Sequence, residues 1–142
     1  MKRKNIPKKI KENVRKLANN RCGYCLARKE LVYADLQFDH IEPLSRGGTD
    51  AEENFWLACS KCNLAKSNKI DGFDLVTKTC IPLFNPRTQN WHEHFAWSSD
   101  GLYIIGKTAT GRVTVVEVKL NNDLFLEVRR NWVKAGWHPP ED

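Results

Sequence analysis

Two pairs of cysteines carry the strongest chemical signal in the sequence. Cys22 and Cys25 belong to Cys-Gly-Tyr-Cys, and Cys59 and Cys62 belong to Cys-Ser-Lys-Cys. Two such pairs supply the four thiolates of a closed tetrahedral zinc site, which is structural rather than catalytic. The alternatives are a thioredoxin-like redox pair or buried cysteines without a ligand. The presence of two copies, with no βαβ pattern around either, favours zinc, and the fifth cysteine, Cys80, stands alone.

The segment between the two cysteine pairs is longer than an ordinary zinc ribbon needs, and it carries a second group of polar residues. It contains the run Phe38-Asp39-His40-Ile41-Glu42-Pro43, then Leu44-Ser45-Arg46-Gly47-Gly48, and then Asn54. The second pair continues directly into Asn63-Leu64-Ala65-Lys66. From Cys22 through Lys66 this order and spacing resembles the HNH endonuclease family. Several separate motifs over about a third of the chain match the family in order and spacing. Such a match is more specific than that of one short motif.

The resemblance implies a fold and a metal centre. It implies an α+β protein with a ββα-metal core, in which a two-stranded hairpin and a helix clasp an ion beside the four-cysteine zinc site. By the same resemblance, Asp39 and Asn63 supply oxygen ligands to a catalytic divalent ion. Two such oxygens, completed by water and phosphate, suit Mg²⁺ or Mn²⁺, and the hard amide oxygen of asparagine favours Mg²⁺.

The resemblance also assigns roles to the other polar residues. His40 is the candidate general base, because the pKa of an unperturbed histidine, about 6.5, suits proton removal from water near neutral pH. Asn54 is expected to bond the loop backbone and so hold His40 in position. Lys66 lies three residues after Asn63 on the same helical face and is expected to meet a phosphate. The remaining candidates for nucleic-acid contact are Arg46, Lys61, Lys69 and Arg87.

These residues predict a metal-dependent endonuclease that hydrolyses DNA, and two alternatives stay open. A non-catalytic zinc-dependent module that binds nucleic acid would not need Asp39, His40 and Asn63 together. A partner-binding subunit of a nuclease assembly would use the aromatic C-terminal half as its interface. The choice between DNA and RNA stays open, as does the choice between a homodimer and a larger assembly.

The secondary structure around these motifs follows from the apolar pattern. Residues 31–41 and 54–57 are expected to be strands, joined by a loop at the paired glycines 47 and 48, and residues 60–68 are expected to form a helix. A first helix should begin near Pro7 and pack Ile10, Val14 and Leu17 on the body of the protein.

The C-terminal half is aromatic and β-branched, and part of it looks like an extension found in small bacterial HNH proteins, beginning at Leu83-Phe84-Asn85-Pro86-Arg87. Residues 102–105 and 112–118 are expected to form a β-hairpin. A last helix, capped by Asn121 or Asn122 and ended by Gly136, should present Leu124, Val128 and Trp132 on one face. Residues 1–19, 20–72 and 73–142 are then a basic arm with a helix, the nuclease core and the extension, within one domain.

The charge is concentrated at the N-terminus. The 142-residue chain carries a net charge of +6. Residues 1–16 hold eight basic residues against Glu12, which leaves 15 basic and 16 acidic residues in the rest. The arm from Lys2 to Lys16 is therefore either a solvated tail or a phosphate-binding segment. Since there is no apolar stretch of membrane-spanning or signal-peptide length, we expect a soluble, cytoplasmic protein with no membrane partner.

Overall fold

The computed structural model describes residues 5–141, and Lys2, Arg3 and Lys4 of the basic arm lie outside that range. The helices within it are α1 (Lys8–Leu17), α2 (Ser60–Lys66), α3 (Trp91–His94), α4 (Ala109–Glu117) and α5 (Asp123–Ala135). The strands are β1 (Gln37–His40), β2 (Phe55–Ala58), β3 (Asp71–Asp74), β4 (Thr79–Pro82), β5 (Phe95–Trp97) and β6 (Ile104–Gly106). They pair as three antiparallel hairpins, β1 with β2, β3 with β4 and β5 with β6. The predicted α+β class is confirmed.

The hairpin β1–β2 and helix α2 form the predicted strand, loop, strand and helix unit. Gln37 pairs with Ala58 and His40 pairs with Phe55 across the hairpin. Helix α2 begins directly after Cys59, whose Sγ accepts a hydrogen bond from the Cys62 amide at its N-terminus. The prediction of a strand from residue 31 is wrong for its first part, since residues 29–31 form a 3₁₀ turn and the strand begins only at Gln37.

Helix α1 packs against strand β2 of this hairpin. Pro7 is its N-cap, one position before the predicted first turn. Val14 is fully buried against Phe55 and Leu57, as its helical face predicted. The prediction for Leu17 is wrong: Leu17 is 57% exposed, and Ala18, one position further round the helix, is buried in its place.

The predicted strand at residues 112–118 is also wrong, because this segment lies mostly in helix α4. The β-branched residues there favour a strand, but local caps override that preference. Thr108 caps the helix by accepting a bond from the Gly111 amide at 3.0 Å. Thr114, fully buried, donates to the Thr110 carbonyl at 2.7 Å and accepts from the Phe84 amide at 2.9 Å. The predicted strand at 102–105 is present as β6, but it pairs with β5.

The last helix begins and ends close to the predicted residues. Asn122 caps α5 by accepting a bond from the Phe125 amide, and Gly136 ends the helix with φ +80°, a left-handed conformation that favours glycine. Trp132 packs against the main core, whereas Leu124 is 48% exposed. Of the face predicted to carry Leu124, Val128 and Trp132, the first residue is exposed and the other two are partly buried.

The main core joins the cysteine region to the C-terminal half. Cys22, Cys59 and Cys62 belong to the same buried cluster as Phe84, Trp91, Phe95, Ile104, Val113 and Leu120. The Trp91 Nε1 donates to the Tyr24 carbonyl at 2.9 Å and fixes this contact. None of the helices within residues 5–141 is long and apolar enough to cross a lipid bilayer.

Candidate functional site

The four cysteines of the two pairs meet in one buried cluster. The Sγ atoms of Cys22, Cys25, Cys59 and Cys62 all lie within 4.8 Å of one another. Cys25 and Cys59 have their sulfurs 3.8 Å apart. Four sulfurs bound tetrahedrally at about 2.3 Å from zinc would lie about 3.8 Å from each other. The donor set and its spacing are therefore compatible with a structural zinc ion.

The thiols of this cluster perturb one another strongly. Hydrogen bonding with Cys22 raises the pKa of Cys25 and Cys62 well above the usual value and lowers the pKa of Cys59. Four thiolates cannot share this buried space without a compensating cation. A divalent metal ion would supply that compensation, and the clustered sulfurs could hold one.

A cleft of about 230 Å³ lies beside the cluster, between the hairpin and α2. Asp39, His40 and Asn63, the three residues expected to do the chemistry, all line it, with Phe38, Pro43, Leu44 and Ser67. Strand β1 delivers Asp39 and His40, and the first turn of α2 delivers Asn63. Cys62 directly precedes Asn63, so the cysteine cluster anchors the turn that carries the amide.

Asp39 is held at the floor of this cleft by two buried donors. The Tyr24 hydroxyl donates to its Oδ2 at 3.1 Å, and the Lys66 Nζ donates to its Oδ1 at 3.3 Å. Burial raises the pKa of Asp39 above its ordinary range, while the Lys66 ammonium and the Tyr24 hydroxyl lower it. A carboxylate has about four acceptor positions, so two remain for a cation.

The position of Lys66 does not fit the phosphate contact expected from the sequence. Its side chain is 2% exposed, and its Nζ also donates to the His40 carbonyl at 2.9 Å. The ammonium thus joins α2 to β1 from inside the protein, and it does not face the solvent where a phosphate would approach.

The buried pair of Lys66 and Asp39 yields a stability prediction. Lys66→Met should destabilise the protein by about 3–5 kcal/mol, because the Asp39 carboxylate would stay buried without its cation. Urea unfolding of zinc-loaded protein measures this difference. Lys61→Met is the control, since Lys61 is exposed on the same helix. A loss no larger than that of the control would contradict the prediction.

His40 has a carboxylate partner that the sequence did not single out. Its Nε2 lies 2.8 Å from the Oδ1 of Asp50, and its ring packs on Phe55 with centroids 4.7 Å apart. Asp50 thus holds one edge of the imidazole ring, and Phe55 supports one of its faces. With Nε2 engaged by Asp50, Nδ1 is the ring nitrogen left for other chemistry.

Asn54 ties the loop between β1 and β2 to itself. Its Oδ1 accepts from the Glu42 amide at 2.8 Å, and its Nδ2 donates to the Glu42 and Thr49 carbonyls at 2.9 and 2.8 Å. Gly48 passes so close to this turn that a Cβ there would lie 1.9 Å from the Glu42 carbonyl oxygen. The second glycine of the pair is therefore a steric requirement of the loop that follows His40.

The amide of Asn63 is also oriented by a neighbour. Its Nδ2 donates to the Oε1 of Gln37 at 2.6 Å. Since the amide nitrogen is engaged, the Oδ1 is the atom left for a cation, as a ligand role requires.

The other cations proposed for nucleic-acid contact occupy different environments. Arg46 and Lys61 are exposed, although the Arg46 Nε donates to the Asn68 carbonyl at 2.6 Å. Lys69 bonds the carbonyl and carboxylate of Glu117. Arg87, mostly buried, reaches the Phe55 carbonyl at 3.4 Å and the Glu52 carboxylate at 3.9 Å. Arg46 and Lys61 are thus the most accessible of this group.

Sequence reasoning missed three residues that position the site: Tyr24, Gln37 and Asp50. Tyr24 was visible only as a spacer of the first cysteine pair, and Asp50 as one of several acidic residues before Asn54. No local pattern distinguishes them, because each acts across at least 10 residues of chain. Their partners become apparent only in the folded structure.

Comparison with known proteins supports the resemblance seen in the sequence. Residues 22–69 match the family model described as HNH endonuclease. The match spans about a third of the chain and contains both cysteine pairs, the β1–β2 hairpin and α2. No curated protein and no solved structure shows a significant match to the chain. The family assignment therefore rests on this segment.

Proposed function

From the match of residues 22–69 to the HNH endonuclease family, we propose that this protein is a metal-dependent nuclease that hydrolyses DNA phosphodiester bonds. The observation that carries the proposal is the convergence of Asp39, His40 and Asn63 on one cleft. A base and two oxygen ligands in one place are what hydrolysis of a phosphodiester requires.

His40 is the general base in this proposal. In the tautomer whose Nε2–H donates to the Asp50 carboxylate, Nδ1 is the nitrogen that can take a proton from the attacking water. Phe55 supports the face of the ring, and Asn54 fixes the loop that follows His40. Together these contacts hold the base in place before the substrate arrives.

Asp39 and Asn63 would hold a catalytic Mg²⁺ or Mn²⁺ through a carboxylate oxygen and an amide oxygen. A divalent ion held there would supply stabilisation of the negative charge that develops on the phosphate and on the departing sugar oxygen. Tyr24 and Lys66 orient the Asp39 carboxylate, and Gln37 orients the Asn63 amide. The zinc cluster holds α2, and therefore Asn63, against β1.

The experiment that tests the proposal is cleavage of supercoiled plasmid by zinc-loaded protein. We expect nicked or linear product with Mg²⁺ or Mn²⁺ and none after brief treatment with EDTA. Zinc is measured in the same sample, so that lost activity is not confused with loss of the structural metal. Absence of cleavage of plasmid, single-stranded DNA and RNA under all metal conditions would instead favour the non-catalytic binding module.

A further inference from the structure

Helix α1 places two cations against a wall of the catalytic cleft. Lys11 and Arg15 are one turn apart, and both lie on the Phe38 ring. The Lys11 Nζ is 6.0 Å and the Arg15 guanidinium carbon 5.1 Å from its centroid. Phe38 precedes Asp39 in β1 and lines the cleft with it. The basic helix, remote from the site in sequence, is therefore its neighbour in space.

These two cations are available to a ligand. Neither Lys11 nor Arg15 forms an ion pair with another of residues 5–141, whereas Lys8 on the same helix pairs with Glu12 at 3.9 Å. A cation placed over an aromatic face keeps its charge and its hydrogen-bond donors directed outward. Contact with Phe38 thus positions the two charges without neutralising them.

The orientation of α1 is fixed by packing. Val14 is buried against the β1–β2 hairpin, and Ile10 packs on the same cluster. At 3.6 residues per turn, Lys9 and Lys16 lie at least about 100° round the helix from both Lys11 and Arg15. The helix therefore has a pair of cations beside the cleft and a second pair that faces away from it.

Arg46 brings another positive charge close to the residues that line the cleft. Arg46 follows Leu44, which lines the cleft, and its Nε is held by the Asn68 carbonyl next to Ser67, another lining residue. A nucleic-acid strand presents a regular row of negative phosphates. A nucleic-acid strand lying in this cleft would meet the charges of Lys11 and Arg15 beside Phe38. It would meet the charge of Arg46 near Leu44.

We infer that Lys11 and Arg15, supported on Phe38, bind the phosphates of the substrate strand that adjoin the scissile phosphate. This inference rests on the proposed nuclease function and names the part of the protein that grips the backbone. If the basic arm only attracted DNA by its total charge, every cation of residues 1–16 would contribute equally to DNA affinity. Our inference instead predicts that the contribution of each cation depends on its position relative to the cleft.

Two double variants of equal charge separate these cases. Lys11→Gln with Arg15→Gln removes the pair beside the cleft, and Lys9→Gln with Lys16→Gln removes the pair facing away. Affinity for a short DNA duplex is measured by fluorescence anisotropy over a range of salt concentrations without divalent ions. The plot of log affinity against log salt has a negative slope, and we expect the first variant to make it shallower by up to about 1.8, or 0.9 for each lost phosphate contact. The second variant should change the slope much less. Equal changes in the two variants would overturn the inference.

A third variant guards against misfolding. Lys11→Arg with Arg15→Lys keeps both charges and should bind like the native protein, while zinc content and urea unfolding report on the fold. In cleavage assays the Gln pair beside the cleft should raise KM with little change in kcat, since it removes binding rather than chemistry. If the two Gln double variants differ in DNA affinity but the native protein does not cleave DNA, the phosphate contact is supported and the proposed hydrolysis is refuted. If the native protein cleaves DNA but the two variants lose affinity equally, hydrolysis is supported and the phosphate contact is refuted.

Discussion

His40→Ala should lower kcat for plasmid cleavage by about 10²- to 10⁴-fold, the range that a positioned general base contributes. The variant should keep its zinc and bind DNA nearly as well as the native protein, because His40 is at the cleft edge and only 20% of its side chain is exposed. Initial rates at saturating DNA, measured with Mg²⁺, give the comparison.

His92→Ala is the matched control for this change. His92 is exposed in α3, outside the residues that line the cleft, and its replacement should leave the rate unchanged. Full activity of His40→Ala, with the control also active, would remove His40 from the role of base.

Cys59→Ser should abolish the folded state of the catalytic half. Structural zinc in small zinc-binding units contributes about 10–16 kcal/mol of apparent binding free energy near neutral pH, which is comparable with the whole stability of an ordinary domain, about 5–15 kcal/mol. We therefore expect that loss of one thiolate from a closed four-sulfur site weakens zinc binding enough to unfold this half. Zinc content and the cooperativity of urea unfolding measure the effect, and Cys22→Ser should behave in the same way.

Cys80→Ser separates the zinc effect from a general sensitivity to cysteine replacement. Cys80 is exposed on β4 and lies outside the four-cysteine cluster, so its replacement should change neither the zinc content nor the unfolding midpoint. A native chain that is folded with less than one zinc per molecule would contradict the structural role of the metal.

The sequence was most informative where the chemistry is local. The two cysteine pairs, the Asp-His step and the following glycines lie in short runs whose order indicates a strand, a loop, a strand and a helix. Helix α4 was missed because its residues are β-branched, and the features that make it helical are contacts to Thr108 and Phe84. Propensity is a weak guide where a helix cap and a tertiary contact decide the local structure.

The site was only partly accessible to the same reasoning. The resemblance to the HNH family, together with the chemistry of histidine, selected Asp39, His40 and Asn63, but their partners are distant in sequence. Lys66 illustrates the difficulty: its helical spacing from Asn63 suggested a phosphate contact, and yet the side chain turns inward to Asp39. A long flexible side chain can reach either the solvent or the interior, and only the packed structure decides between them.

The main core that joins the cysteines to the aromatic C-terminal half has a consequence for folding cooperativity. Trp91, Phe95 and Leu120 pack in the same cluster as Cys22 and Cys62, so a metal bound by the cysteines would couple its binding energy to the burial of these apolar side chains. A second, smaller cluster around Val14, Phe55 and Leu57 holds α1 on the β1–β2 hairpin, whereas the buried apolar residues of the C-terminal half all belong to the main core. Metal loading would then act as a checkpoint for the whole chain: a metal-free molecule would lack an ordered cleft and a stable C-terminal half at the same time.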